Sequence, residues 1–74
     1  MGRLAGFKYH EVAAKLRNLG FELRRQGKGS HEVWFSISKQ VAITLPHHAK
    51  ALSEGTLRAI LRDAQIDIDT FLST

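Results

Sequence analysis

The sequence predicts an α+β domain in the order α-β-β-β-α, with a last helical turn and a three-stranded antiparallel sheet covered by helices on one face. Two observations predict it. Apolar residues recur at helical spacing near both ends of the chain and at alternate positions in three short runs between them. Glycine or proline punctuates the joins between these segments.

Met1 to Phe7 holds two glycines and no periodicity, and reads as a flexible N-terminal tail (1–7) ahead of a single domain over 8–74. In KYHEVAAKLRNLG, residues Tyr9, Val12, Ala13, Leu16 and Leu19 repeat at helical spacing, and Gly20 supplies the stop. FELRRQ then alternates, with Phe21, Leu23 and Arg25 on one parity. GKGS is turn chemistry, because glycine tolerates positive φ and close backbone approach. HEVWFSIS alternates again: His31, Val33, Phe35 and Ile37 read as the core side, and Glu32, Trp34 and Ser36 as the open side. A third strand runs through Val41, Ile43 and Leu45 and is closed by Pro46. Ser53 is a helix N-cap ahead of the stripe Leu57, Ile60, Leu61 and Ala64. Asp67 or Asp69 starts a final turn that packs Ile68, Phe71 and Leu72.

Composition narrows the function classes. The chain has no cysteine, which excludes disulfides and thiolate metal sites and favours a reducing, cytoplasmic setting. No apolar run approaches the ~20 residues of a membrane span, and no signal-peptide pattern opens the chain. The formal charge is 11 − 7 = +4. Its positive part lies in the first two thirds, whereas beyond Ala51 the residues Glu54, Asp63, Asp67 and Asp69 outnumber Arg58 and Arg62. A basic balance of this kind favours anionic partners, nucleic acid first among them.

Four stretches carry candidate chemistry. In GKGSH, amides around glycine, a lysine and a serine hydroxyl suit a phosphate oxygen. An imidazole beside a bound phosphodiester can take the proton of a ribose 2′-OH or protonate the leaving 5′-oxygen. Nearby Arg24, Arg25 and Lys28 would offset the charge of the transition state. The alternative is a plain hairpin turn with a partly exposed histidine. In LPHHAK, adjacent histidines of an extended chain point to opposite sides and chelate one metal poorly, so phosphate contact, partner contact and a solvated loop remain open and no metal or other cofactor is expected. Trp34, read as exposed beside Glu32, fits a protein interface or base stacking, unless a long cationic side chain covers it. Arg58 and Arg62, one helical turn apart, read as a solvated face or as a contact to phosphate or carboxylate.

Taken together, LGFELRRQGKGSH, the proline-histidine loop and GTLRAILRDA resemble, in order and spacing, the HicA (YcfA-like) family of mRNA interferase toxins. The resemblance covers about Lys8 to Leu72. It implies a fold like the double-stranded-RNA-binding domain, cleavage of mRNA by a metal-independent endoribonuclease, and neutralisation by a HicB-type antitoxin. It implies no membrane association, and DNA contact only through the antitoxin complex. The catalytic histidine of the family follows Gly-Ser, which here gives His31 after Gly29 and Ser30. Its loop histidine most nearly matches His48, and its Gly-Thr-Leu helix start matches Gly55, Thr56 and Leu57. The RNA-binding set is then Arg24, Arg25, Lys28, Gly29, Ser30, His48 and Lys50, with Trp34 and Glu32 at the partner interface. The chain departs from the family at Glu32, where a second histidine often stands, and at Gln65, where a glycine often closes the late helix. The first departure places an anion beside the phosphate site. A non-catalytic double-stranded-RNA-binding module is the alternative function.

Overall fold

A computed structural model describes residues 3–74 of the chain. The elements are α1 (Tyr9–Asn18), β1 (Phe21–Gln26), β2 (His31–Ser36), β3 (Val41–Pro46), α2 (Glu54–Asp63) and α3 (Ile68–Leu72). The sheet is antiparallel in the order β1-β2-β3. Helix α1 packs against β1 and α2 against β3, so the helices share one face of the sheet. Capping follows the expected chemistry. Ser53 Oγ accepts from Thr56 N–H at the start of α2, and an Asp67 carboxylate oxygen accepts from Thr70 N–H at the start of α3. The predicted stripe of Leu57, Ile60, Leu61 and Ala64 is buried, together with Val12, Ala13 and Leu16 of α1.

The core side of β2 is the reverse of the one its apolar residues suggest. Glu32, Trp34 and Ser36 are buried beneath the helices, whereas Val33 and Phe35 are half-buried and His31 and Ile37 exposed. The cause is register. A four-residue connection, Ile37 to Gln40, sets Ser36 opposite Val41, Trp34 opposite Ile43 and Glu32 opposite Leu45. Val41, Ile43 and Leu45 form the apolar side of β3, and cross-strand partners share a face. The even positions of β2 must therefore point to the helices. Trp34 supplies the largest buried side chain, and Arg17 of α1 lies over its ring at 4.9 Å. Ser36 Oγ accepts from Lys39 N–H at 3.2 Å, so its burial leaves no orphan group.

Two further features concern the end of α2 and the N-terminal segment. Gln65 takes the left-handed conformation, φ 57°, that the family's glycine would occupy. Its N–H donates to the Arg62 carbonyl, and Ile66 N–H reaches back to Leu61 O at 2.9 Å, which together form a Schellman closure. Lys39 Nζ bonds the last carbonyls, Ala64 O at 3.2 Å and Gln65 O at 2.6 Å. Of the predicted tail, Met1 and Gly2 lie outside the described residues. The remainder is anchored at two residues: Leu4 is fully buried, Phe7 meets Phe71 edge-on, and Leu52 N–H donates to Phe7 O at 2.8 Å.

Two stability changes follow. Gln65→Gly should raise the unfolding free energy by about 0.5–1 kcal/mol, because it removes the Cβ cost of the left-handed region. Trp34→Ala should lower it by about 3–5 kcal/mol, a large fraction of the stability of so small a domain. Urea titration followed by far-ultraviolet circular dichroism measures both.

Candidate functional site

The β1–β2 turn is built by glycine. Gly27 N–H donates to His31 O at 2.7 Å, and a Cβ on Gly27 would sit 3.0 Å from that oxygen. Gly29 adopts φ 60°, and His31 N–H closes the turn onto Lys28 O at 3.1 Å. The Gly27 amide is therefore spent inside the turn and is unavailable to a ligand. Among the described residues, the amides of Lys28, Gly29 and Ser30 have no partner. Three successive free N–H groups of this kind can hold an anion.

His31 follows the turn at the head of β2, exposed and on the open face with Val33 and Phe35. Strand β1 brings two cations to the same face. Its register with β2 slips at Arg24, the extra residue between Leu23, which faces Trp34, and Arg25, which faces Val33. The Arg24 guanidinium lies 4.5 Å over the Phe35 ring, with its N–H edges free. Arg25, Lys28, Gly29, Ser30 and His31 thus stand at the turn end of the open face, whereas the Arg24 guanidinium, on Phe35, lies four residues along β2 from His31. Lys50 is exposed in the loop leading to α2. His48 is on the other side, in a shallow groove with Lys8, Tyr9, His10, His47 and Ala49. Both loop histidines line that groove because they stand beyond the strand end at Pro46, where strand alternation no longer applies. Among the described residues no three His, Asp or Glu side chains converge to hold a metal ion.

Glu32 and Trp34 do not form an exposed partner surface. Glu32 is 4% exposed, and its carboxylate is on the helix-covered side of the sheet rather than beside the glycine turn. Its Oε1 accepts from Tyr9 O–H at 2.7 Å and from Trp34 Nε1–H at 3.1 Å, and its Oε2 lies 3.1 Å from His47 Nδ1. Burial alone would raise the Glu32 pKa, but these three hydrogen bonds and the His47 charge outweigh it and hold the carboxyl below its ordinary value. The ionised carboxylate only accepts, so His47 Nδ1 carries the proton it donates. Burial, then the hydrogen bond to Glu32 and its negative charge, push the Tyr9 hydroxyl up to about 12. The Tyr9 and His47 rings stack at 3.6 Å, 8° from parallel. The sequence offers no signal for this cluster, because Tyr9, Glu32 and His47 meet only through the register of β2 on β3 and the seating of α1.

The cluster predicts a pH dependence. A carboxyl held low when folded binds fewer protons than in the unfolded chain, so its stabilisation is complete above its ordinary value of 4.5 and is lost as pH falls through the lowered one. Glu32→Gln should flatten the acid limb of a plot of unfolding free energy against pH, most visibly below about pH 4.5. Tyr9→Phe, which keeps the ring stack but loses one hydrogen bond to a charged acceptor, should cost about 1.5–3 kcal/mol at neutral pH in the same titration.

No helix among the described residues is long and apolar enough to cross a membrane. No curated protein matches the chain. A protein family described as "HicA toxin of bacterial toxin-antitoxin" matches residues 9–66, from the first residue of α1 to the residue that completes the closure of α2. That span takes in the glycine turn, all three strands and both long helices, and the chain accordingly belongs to the HicA toxin family of bacterial toxin–antitoxin systems.

Proposed function

We propose that this toxin is a metal-independent endoribonuclease that cleaves mRNA, with His31 as its general acid/base, and that a HicB-type antitoxin neutralises it. The observation that carries the reading is the position of His31. It is an exposed imidazole next to three unpartnered amides, with Lys28 in the same turn, Arg25 opposite Val33 and Arg24 farther along the same face on Phe35.

In the reaction, the free amides of Lys28, Gly29 and Ser30 hold a non-bridging oxygen of the scissile phosphate. His31 takes the proton of the adjacent ribose 2′-OH. The 2′-oxygen bonds to phosphorus, and the bond from phosphorus to the 5′-oxygen breaks. The departing oxygen receives a proton from His31 or from water, which leaves a 2′,3′-cyclic phosphate and a 5′-hydroxyl. Arg25 and Lys28 face the charge that builds on the phosphoryl oxygens, and Arg24 meets the RNA backbone farther along the open face. His48 and Lys50 extend the cationic surface beyond the turn. The antitoxin contact is proposed for the open face, where Ile37 is 60% exposed beside half-buried Val33 and Phe35. Trp34 and Glu32, being buried, leave that role to these residues.

A second reading, an RNA-binding module without chemistry, draws on one observation: the His31 ring has no hydrogen-bond partner among the described residues to orient it. Incubating a long mRNA with wild type and His31→Ala in the presence of EDTA separates the two. The nuclease reading expects cleavage by wild type that falls at least ~100-fold in the variant, the usual contribution of a general acid/base. The new ends should be 2′,3′-cyclic or 3′-phosphates. Binding without cleavage by both folded proteins would favour the module, and 3′-hydroxyl ends would exclude the proposed chemistry.

A further inference from the structure

A second histidine site, which the reaction above does not use, stands around the end of the sheet from His31. His47 N–H donates to Ser30 O at 2.8 Å, so its backbone is tied directly to the glycine turn. Its side chain points the other way, to the helix-covered side, where it lies on Tyr9 and bonds buried Glu32 through Nδ1. With Nδ1 engaged, Nε2 is the ring atom left to meet a ligand. The side chain is 51% exposed and lines the groove with Lys8, His10 and His48. A ring fixed by a stack beneath and a carboxylate behind meets a ligand with little loss of freedom.

The groove has a defined chemical preference. Its titratable walls are Lys8 and His10 from the start of α1, Tyr9 beneath the imidazole, and His47 and His48 from the loop after β3. Each of these except Tyr9 is a cation or can become one. Two carboxylates stand near these walls: Glu32, buried, has both oxygens occupied by Tyr9, Trp34 and His47, and Glu11 has its Oε1 turned to the Lys8 N–H at 2.9 Å, capping the start of α1. An anion with several acceptor oxygens fits such walls, and a neutral or cationic ligand does not.

We propose that this groove is a phosphate subsite for the RNA backbone, with His47 Nε2 and Lys8 Nζ as donors and Glu32 as the residue that positions His47. The proposal rests on the ribonuclease reading and extends it: the strand leaves the His31 turn, rounds the end of the sheet and places a neighbouring phosphate in the groove. His47 is here a binding residue, since its ring and that of His31 are on opposite faces of the sheet.

The test uses the full chain and an RNA oligonucleotide with 2′-O-methyl riboses, which cannot supply the nucleophile and so reports binding alone. Fluorescence anisotropy at several salt concentrations should show His47→Gln binding about tenfold more weakly, as expected for one lost charge-assisted hydrogen bond. The slope of log affinity against log salt should fall by roughly 0.7, the share of one phosphate contact on a single strand. Nitrogen-15 spectra of the histidine rings test the positioning role. Inorganic phosphate should shift Nε2 of His47 and leave Nδ1 in wild type, whereas in Glu32→Gln both nitrogens should respond. Wild-type affinity and slope in His47→Gln, or an unmoved Nε2, overturns the subsite and leaves mRNA cleavage by wild type untouched. Unchanged RNA binding with weakened antitoxin capture would assign the groove to the protein partner instead, and also overturns it. A wild type that neither binds nor cuts RNA removes both proposals together.

Discussion

Glu32 is a carboxylate with 4% of its surface exposed, and water is not available to solvate it. An ion in that position is tolerated only if protein donors replace the lost water, since desolvation costs on the order of several kcal/mol. Three elements provide those donors: Tyr9 from α1, Trp34 from β2 itself and His47 from the loop after β3. The carboxylate therefore ties the first helix, the central strand and the exit of the last strand to one another. A slip of β2 by one residue would turn Glu32 to solvent and strand Trp34 on the open face. The hydrogen bonds and the packing of Trp34 against Arg17 select the same register. Burying this charged residue is better understood as specifying one arrangement of the sheet than as a source of net stability.

The same constraint divides the end of the sheet into two chemically distinct sides. With the even positions of β2 committed to the helices, His31 and the register partners of Val33 and Phe35 are left facing outward. The irregularity at Arg24 then lets β1 present a guanidinium on Phe35 and a second arginine opposite Val33. On the other side, Glu32 holds His47 against Tyr9 and shapes the wall of the cationic groove. The glycine turn links the sides, because Ser30 adjoins His31 in the chain and bonds the His47 amide. The negative charge next to His31 in the sequence is thus on the other side of the sheet from that imidazole, since alternation points it to the helices, where its oxygens are shared among three donors.

Element order, element type, helix caps and the glycine turn were legible in the sequence, because each depends on neighbours within about four residues. Ser53 and Asp67 cap the helices that follow them, and Leu57, Ile60, Leu61 and Ala64 bury the stripe that their spacing describes. The position of His31 directly after a glycine turn was legible for the same reason, as were the cations of β1. The side of β2 that faces the core was not. Its two parities offer Val33, Phe35 and Ile37 against Trp34 with two polar neighbours, and counting apolar residues favours the wrong side. Only the pairing with β3, fixed by a four-residue connection and the unambiguous alternation of Val41, Ile43 and Leu45, decides it. Tertiary structure alone decided that Leu4 joins the core, that Gln65 takes a left-handed conformation with Lys39 bonding the helix end, and that Tyr9, Glu32 and His47 form one cluster. The physical reason is common to all of these: each rests on contacts between residues distant in sequence, whose energies exist only once the sheet register and the seating of the helices are set.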